Sequence, residues 1–124
     1  MKKILLALLL AAMWALPAYA VFSSKGVIPG GEPIEYRGLK VTDKGVTLYI
    51  VNRSPEKAYE FSAALLFVTR GQEWGNVFIE KITLEAGEHR MLTGLFLRGD
   101  TKKAKAAESL RWTIYTLEEK PAKL

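Results

Sequence analysis

The side chains that most often carry out catalysis are sparse in this sequence. The only histidine, His89, lies between Glu88 and Arg90, and the chain contains no cysteine. A histidine that is oriented by a carboxylate can act as a general base, so His89 with a nearby glutamate is the candidate centre of a small hydrolase. The alternative, which we favour, is that His89 is an exposed turn residue among ordinary surface charges and that the chain is not an enzyme.

The sequence also lacks the sets of residues that metal, cofactor and phosphate-binding sites require. A zinc site requires several nitrogen, sulfur or carboxylate ligands, and one histidine without cysteine does not supply them. A calcium site requires clustered acidic residues in a loop, whereas the two aspartates, Asp43 and Asp100, lie in separate turns. Gly30-Gly31 is not followed by the lysine and the serine or threonine of a phosphate-binding loop. We therefore predict no catalytic, metal or cofactor site.

Trp74 is the first of two features whose chemistry suits binding. It lies in a predicted turn from Gly71 to Gly75, where its ring would be exposed. Exposed loops often carry recognition, and tryptophan is enriched among the residues that anchor interfaces. The alternative is that Trp74 folds back over the end of the domain. Trp112 differs, because its alternation with Leu110 and Ile114 predicts a core position.

A short basic segment is the second feature. Its four cations are Arg98, Lys102, Lys103 and Lys105. Such a cluster predicts attraction to an anionic lipid, a cell-wall polymer or an acidic partner protein, and salt would screen that attraction. The alternative is a solvated connection that includes one helical turn from Thr101 to Ala107.

The first twenty residues predict an export signal. Lys2 and Lys3 precede the apolar run Ile4–Leu16, Pro17 breaks the helix, and Ala18-Tyr19-Ala20 supplies the small residues of a cleavage site. The run is shorter than the roughly twenty residues that span a bilayer, which favours cleavage after Ala20 over a permanent anchor. We expect a bacterial protein that is periplasmic or secreted.

Removing 20 of the 124 residues leaves enough chain for one domain. The formal charge of +5 falls by two with the signal, and this mild basicity does not predict nucleic-acid binding. Without cysteine, no disulfide can stabilise the exported domain, so its apolar core must do so. Within the mature chain, residues 21–33 are rich in glycine, proline and serine and predict a flexible lead-in. We assign residues 34–118 to the domain and 119–124 to a tail.

Short alternating segments separated by turns predict an all-β domain. Asp43-Lys44-Gly45 is a hairpin turn signal, Gly38 marks a bulge, and turns recur every 8–12 residues. A single immunoglobulin-like antiparallel β-sandwich of about seven strands fits this pattern. Residues 55–70 fit either a central strand or a helix that begins at Ser54-Pro55. We favour the strand, and the helix would give an α+β domain instead.

The stretch from Leu48 to Phe96 resembles exported bacterial immunoglobulin-like domains of the FxLYD type. A strand ends in Asn52-Arg53-Ser54, a long apolar strand leads to Gly71, and Leu84 precedes the Gly87-Glu88 turn. The naming motif itself is mostly missing, since Ala64 stands where its phenylalanine belongs and Val68 where its aspartate belongs. The resemblance implies the sandwich fold, and such domains have no common activity.

Together these observations favour an exported, non-catalytic binding or accessory module of the bacterial envelope, acting through a sheet edge or the loops around Trp74. Two alternatives stay open. One is the small hydrolase that uses His89, and the other is a structural envelope component whose basic segment binds anionic surfaces. We expect the partner to be an envelope protein or a cell-surface polymer and expect no nucleic-acid partner.

Overall fold

The computed structural model describes residues 21–121, and the predicted signal peptide, residues 1–20, lies outside them. In this part of the chain, eight strands form two four-stranded antiparallel sheets, and there is one short helix. The predicted all-β sandwich is therefore confirmed, with eight strands where we expected about seven. Within residues 21–121, no helix has the length and apolar character that a membrane span requires.

The strands are numbered along the chain, and the helix precedes the last strand. They are β1 Gly26–Val27, β2 Ile34–Thr42, β3 Gly45–Asn52, β4 Ala58–Thr69, β5 Gln72–Leu84, β6 His89–Leu95, β7 Leu97–Gly99, α1 Thr101–Lys105 and β8 Ser109–Lys120. The first sheet has the order β1-β2-β3-β6, and the second has the order β7-β5-β4-β8. The chain thus passes between the sheets three times, from β3 to β4, from β5 to β6 and from β6 to β7. Such crossings between two sheets are typical of immunoglobulin-like sandwiches.

Strand β4 forms the centre of the second sheet. Its side chains at Phe61, Ala63, Leu65 and Phe67 are fully buried against the first sheet, because alternate residues of a strand point to the same face. Both β5 and β8 form antiparallel ladders with β4. The strand interpretation of residues 55–70 is therefore confirmed and the helical alternative is wrong, since only an extended segment can pair on both sides.

The structure differs from the predicted domain limits, because residues 21–33 pack on the sandwich and β8 extends two residues into the predicted tail. Ile28 is fully buried, the ring of Phe22 lies 5.4 Å from that of Phe67, and the Tyr36 hydroxyl donates a hydrogen bond to the Ser23 carbonyl. The glycines and prolines of residues 21–33 form the turns that bring these apolar side chains back to the core. At the other terminus, β8 continues to Lys120, so residues 119 and 120 of the predicted tail belong to the sheet, and residues 122–124 of that tail lie outside the described residues.

Asn52 joins the two connections that pass between the sheets at one end of the sandwich. Its fully buried amide nitrogen lies within hydrogen-bond distance of three carbonyl oxygens, and its amide oxygen accepts from the Ser54 N–H at 3.0 Å. The three carbonyls belong to Lys57 at 2.8 Å, Glu85 at 3.0 Å and Leu84 at 3.3 Å. One side chain therefore ties the β3–β4 connection to the β5–β6 turn.

We predict that Asn52→Ala lowers the free energy of unfolding by about 2–3 kcal/mol, because it leaves buried carbonyls and an N–H without partners. Asn76→Ala is the matched control. It removes only an exposed bond to Glu73 and should cost no more than about 0.5 kcal/mol. Chemical denaturation of both variants measures the difference, and equal losses would show that the Asn52 bonds are not structurally important.

Candidate binding site at the basic end

Trp74 does not lie at the tip of a loop, so that part of the prediction is wrong. The β4–β5 turn consists of two residues, Arg70 and Gly71, with φ values of 53° and 78°. Thr69 pairs directly with Gln72 across this turn. Two consecutive left-handed residues make a tight hairpin turn, so β5 starts earlier than the glycine spacing indicates. Trp74 is consequently a strand residue.

A cation covers the Trp74 ring. The Lys103 ammonium lies 3.8 Å from the ring centroid, which is the geometry of a cation–π contact. A backbone hydrogen bond also joins the two segments, because the Asp100 N–H donates to the Trp74 carbonyl at 2.9 Å. The Asp100 carboxylate in turn accepts from the Lys103 N–H at 3.0 Å and caps α1. Trp74 and the basic segment, which the sequence analysis treated as separate features, therefore form one surface.

We call this surface the basic end. It comprises Trp74, Arg98, Lys102, Lys103 and Lys105. Arg98 lies in β7 and the three lysines lie in α1. A helix is therefore present where the alternative interpretation placed a helical turn, but it ends at Lys105 rather than at Ala107. Ala104 is fully buried and packs on Gly75, which holds the helix against β5. A Cβ added at Gly75 would lie only 3.2 Å from the Ala104 Cβ, so glycine is needed for this close contact. All four cations are exposed, and within residues 21–121 none of them forms an ion pair.

The ion pairs of the described chain are concentrated at the opposite end of the sandwich, where Asn52 lies. They are Arg53–Glu35, Lys57–Glu119, Lys81–Glu60, Arg90–Glu88 and Lys120–Glu60. Four carboxylates at that end, those of Glu35, Glu60, Glu88 and Glu119, thus each lie beside a cation. Residues 98–105 carry four cations and one carboxylate, Asp100, and none of these cations forms an ion pair in the described chain, so this segment presents a net positive charge.

Two carboxylates at the ion-paired end show the effect of their partners. Hydrogen bonds from Lys120 and Lys81 lower the pKa of Glu60, and the same contact raises the pKa of Lys120. Burial acts to raise the pKa of Glu88, but bonds from the Arg90 side chain and the Glu85 N–H outweigh it and lower that pKa. Both carboxylates therefore stay ionised and paired at neutral pH.

The structure shows how His89 is placed for the hydrolase alternative. Its side chain is exposed at the start of β6. The neighbouring Glu88 carboxylate does not orient it, because its oxygens accept from Arg90 Nε at 2.6 Å and from the Glu85 N–H at 2.8 Å. Among residues 21–121, no three histidine or acidic side chains lie close enough to hold a metal ion.

Gly99 is a positioning residue that the sequence analysis missed. Its φ of 125° is in the region that favours glycine, and a Cβ there would collide with the Trp74 carbonyl oxygen. Asp100 was missed as a helix cap, although an aspartate before Thr101-Lys102-Lys103 is a recognisable capping signal. The contact between Trp74 and Lys103 has no such signal, because the two residues are far apart in sequence.

Comparisons of the chain with protein-family models, with curated proteins and with solved structures found no match. The resemblance to FxLYD-type domains therefore stays a prediction from the sequence.

We predict that Gly99→Ala destabilises the fold more than Gly30→Ala. Gly30 also has a positive φ, 76°, but a Cβ there would meet nothing within 4 Å. Gly30→Ala should cost about 1–2 kcal/mol from backbone strain alone. Gly99→Ala should add about 1–3 kcal/mol, because the collision pushes β7 away from β5. Equal costs in denaturant unfolding would show that close approach of the two strands is not what places β7.

Proposed function

We propose that this chain is an exported, non-catalytic binding module of the bacterial envelope and that its basic end binds an anionic component of that envelope. The observation that carries the proposal is the separation of charge. Four cations lie between residues 98 and 105 without an ion-pair partner in the described chain, while the ion pairs gather at the other end. The export signal predicted in residues 1–20 supports the location.

The way in which the cations are held also supports a binding role. Asp100, the one acidic residue among residues 98–105, is occupied as the cap of α1 and does not pair with a lysine side chain. The short helix and β7 are anchored to β5, so the cations are presented on a rigid element. A preorganised surface loses less conformational entropy when a ligand binds. Each cation close to an anionic membrane surface contributes about 1 kcal/mol to attraction, and salt screens it.

We predict that the double variant Lys102→Gln/Lys105→Gln binds a bacterial envelope fraction about 30-fold more weakly than the unchanged mature chain. This is the loss of two cations at about 1 kcal/mol each. Lys103 is left unchanged because it packs on Trp74. The measurement is co-sedimentation of the chain from Val21 onward at low salt, repeated at high salt, which should remove most binding.

The matched control is Lys25→Gln/Arg37→Gln, which removes the same charge from two exposed positions, one just before β1 and one on β2. We expect the control to bind nearly as well as the unchanged chain. If both double variants lose the same affinity, net charge alone governs binding and the basic end is not a site.

A further inference from the structure

A groove runs along the side of the sandwich where β5 faces β6. The chain leaves the first sheet after Leu95 and joins the second at Leu97, so β7 pairs with β5 only at Gly75–Val77. In the described chain, the remainder of β5 has no strand on this side, and neither does β6. The two edges enclose a volume of about 470 Å³, within the range of small-molecule sites.

The wall of the groove is mainly apolar, and Arg98 lies at one end of it. Its apolar wall includes Ile79, Ile82, Leu92 and Leu95. Phe96 lies at the mouth and is 76 % exposed, the largest exposed fraction among the large apolar side chains of residues 21–121. Arg98 also lines the groove, and α1 begins three residues after it, at Thr101. The groove and the basic end are thus contiguous through Arg98.

The irregular edges argue against an added β-strand as the occupant. Residues Glu80-Lys81 bulge from β5, and the pairing of β6 with β3 shifts between Leu92 and Leu95. A strand that extended either sheet would need an unbroken ladder of backbone groups, and bulges at sheet edges prevent such pairing. A flexible alkyl chain makes no such demand.

The charges along the groove decide how an amphiphile would be oriented. Arg98 pairs with Asn76 of β5, and Glu80 lies four residues farther along that strand, about 13 Å away at the usual rise of a strand. The Arg98 end therefore attracts an anion, while the Glu80 end repels it. A ligand with one anionic group and one alkyl chain fits only with its anionic group at Arg98.

We propose that the groove and the basic end form one site for an anionic phospholipid. One acyl chain lies in the groove between β5 and β6, and the phosphate lies against Arg98 and the lysines of α1. This inference rests on the proposed function and names the anionic component that the basic end binds.

The test uses dihexanoyl phosphatidylglycerol, a short-chain lipid, below the concentration at which it forms micelles, and the chain from Val21 onward. Glycerol 3-phosphate supplies the anionic group without an alkyl chain, and dihexanoyl phosphatidylcholine supplies the chains without net charge. Isothermal titration calorimetry measures each affinity. We expect phosphatidylglycerol to bind at least tenfold more tightly than either of the other two probes.

Three variants separate the parts of the site. Arg98→Gln should weaken phosphatidylglycerol binding at least fivefold, and Arg37→Gln, an exposed arginine on β2, is its control. Phe96→Ser should weaken it at least threefold, and Met91→Ser is its control, because Met91 is 51 % exposed but does not line the groove. Leu92→Phe should block the groove and abolish the difference between phosphatidylglycerol and glycerol 3-phosphate. Circular dichroism confirms that each variant folds.

The outcomes distinguish this inference from the proposed function. If the lysine variant of α1 loses envelope binding while Phe96→Ser and Leu92→Phe bind phosphatidylglycerol normally, the groove is not a lipid site and the proposed function stands. If glycerol 3-phosphate binds as tightly as phosphatidylglycerol, the site recognises a free phosphate and the inference is wrong. If the lysine variant also binds the envelope normally, both proposals are wrong.

Discussion

The fold depends on one buried amide, the side chain of Asn52. A sandwich needs its chain to pass between sheets, and at this end two such connections meet where backbone groups would be shielded from water. An amide both donates and accepts, so Asn52 can satisfy carbonyls from two connections and an N–H from one of them. An apolar side chain of similar size would fill the space but leave these groups unpaired, which costs more than the apolar contact gains.

The other end of the sandwich depends on close steric approach as well as on the hydrogen bonds of Asp100. Gly75 and Gly99 pair where β7 meets β5, and the absence of side chains there lets Ala104 of α1 pack onto the strand. This arrangement uses no ion pairs, so the cations of β7 and α1 stay exposed. The ion pairs of the described residues thus lie at the Asn52 end, while the positive end adjoins the groove at Arg98.

Much of the architecture could be predicted from the sequence because it follows from local rules. Alternation placed the apolar face of β4, and the bulge at Gly38 and the turn at Asp43–Gly45 lie where residue types indicated them. What could not be predicted depends on tertiary contact. Residues 21–33 have the composition of a linker, yet the buried Ile28 fixes them to the core. Because the turn consists only of Arg70 and Gly71, Trp74 lies in a strand, where Lys103 of α1 covers its ring.

The groove could not be predicted from the sequence either. It arises where the chain changes sheets at Phe96 and where both flanking strands are irregular. The most direct test of the account is a nuclear magnetic resonance titration of the isotopically labelled mature chain with short-chain phosphatidylglycerol. We predict that backbone amide signals change at residues 78–82 and 92–105, and that residues 53–57 and 85–88 around Asn52 do not respond. Changes centred on the Asn52 end, or spread evenly over the surface, would contradict the account.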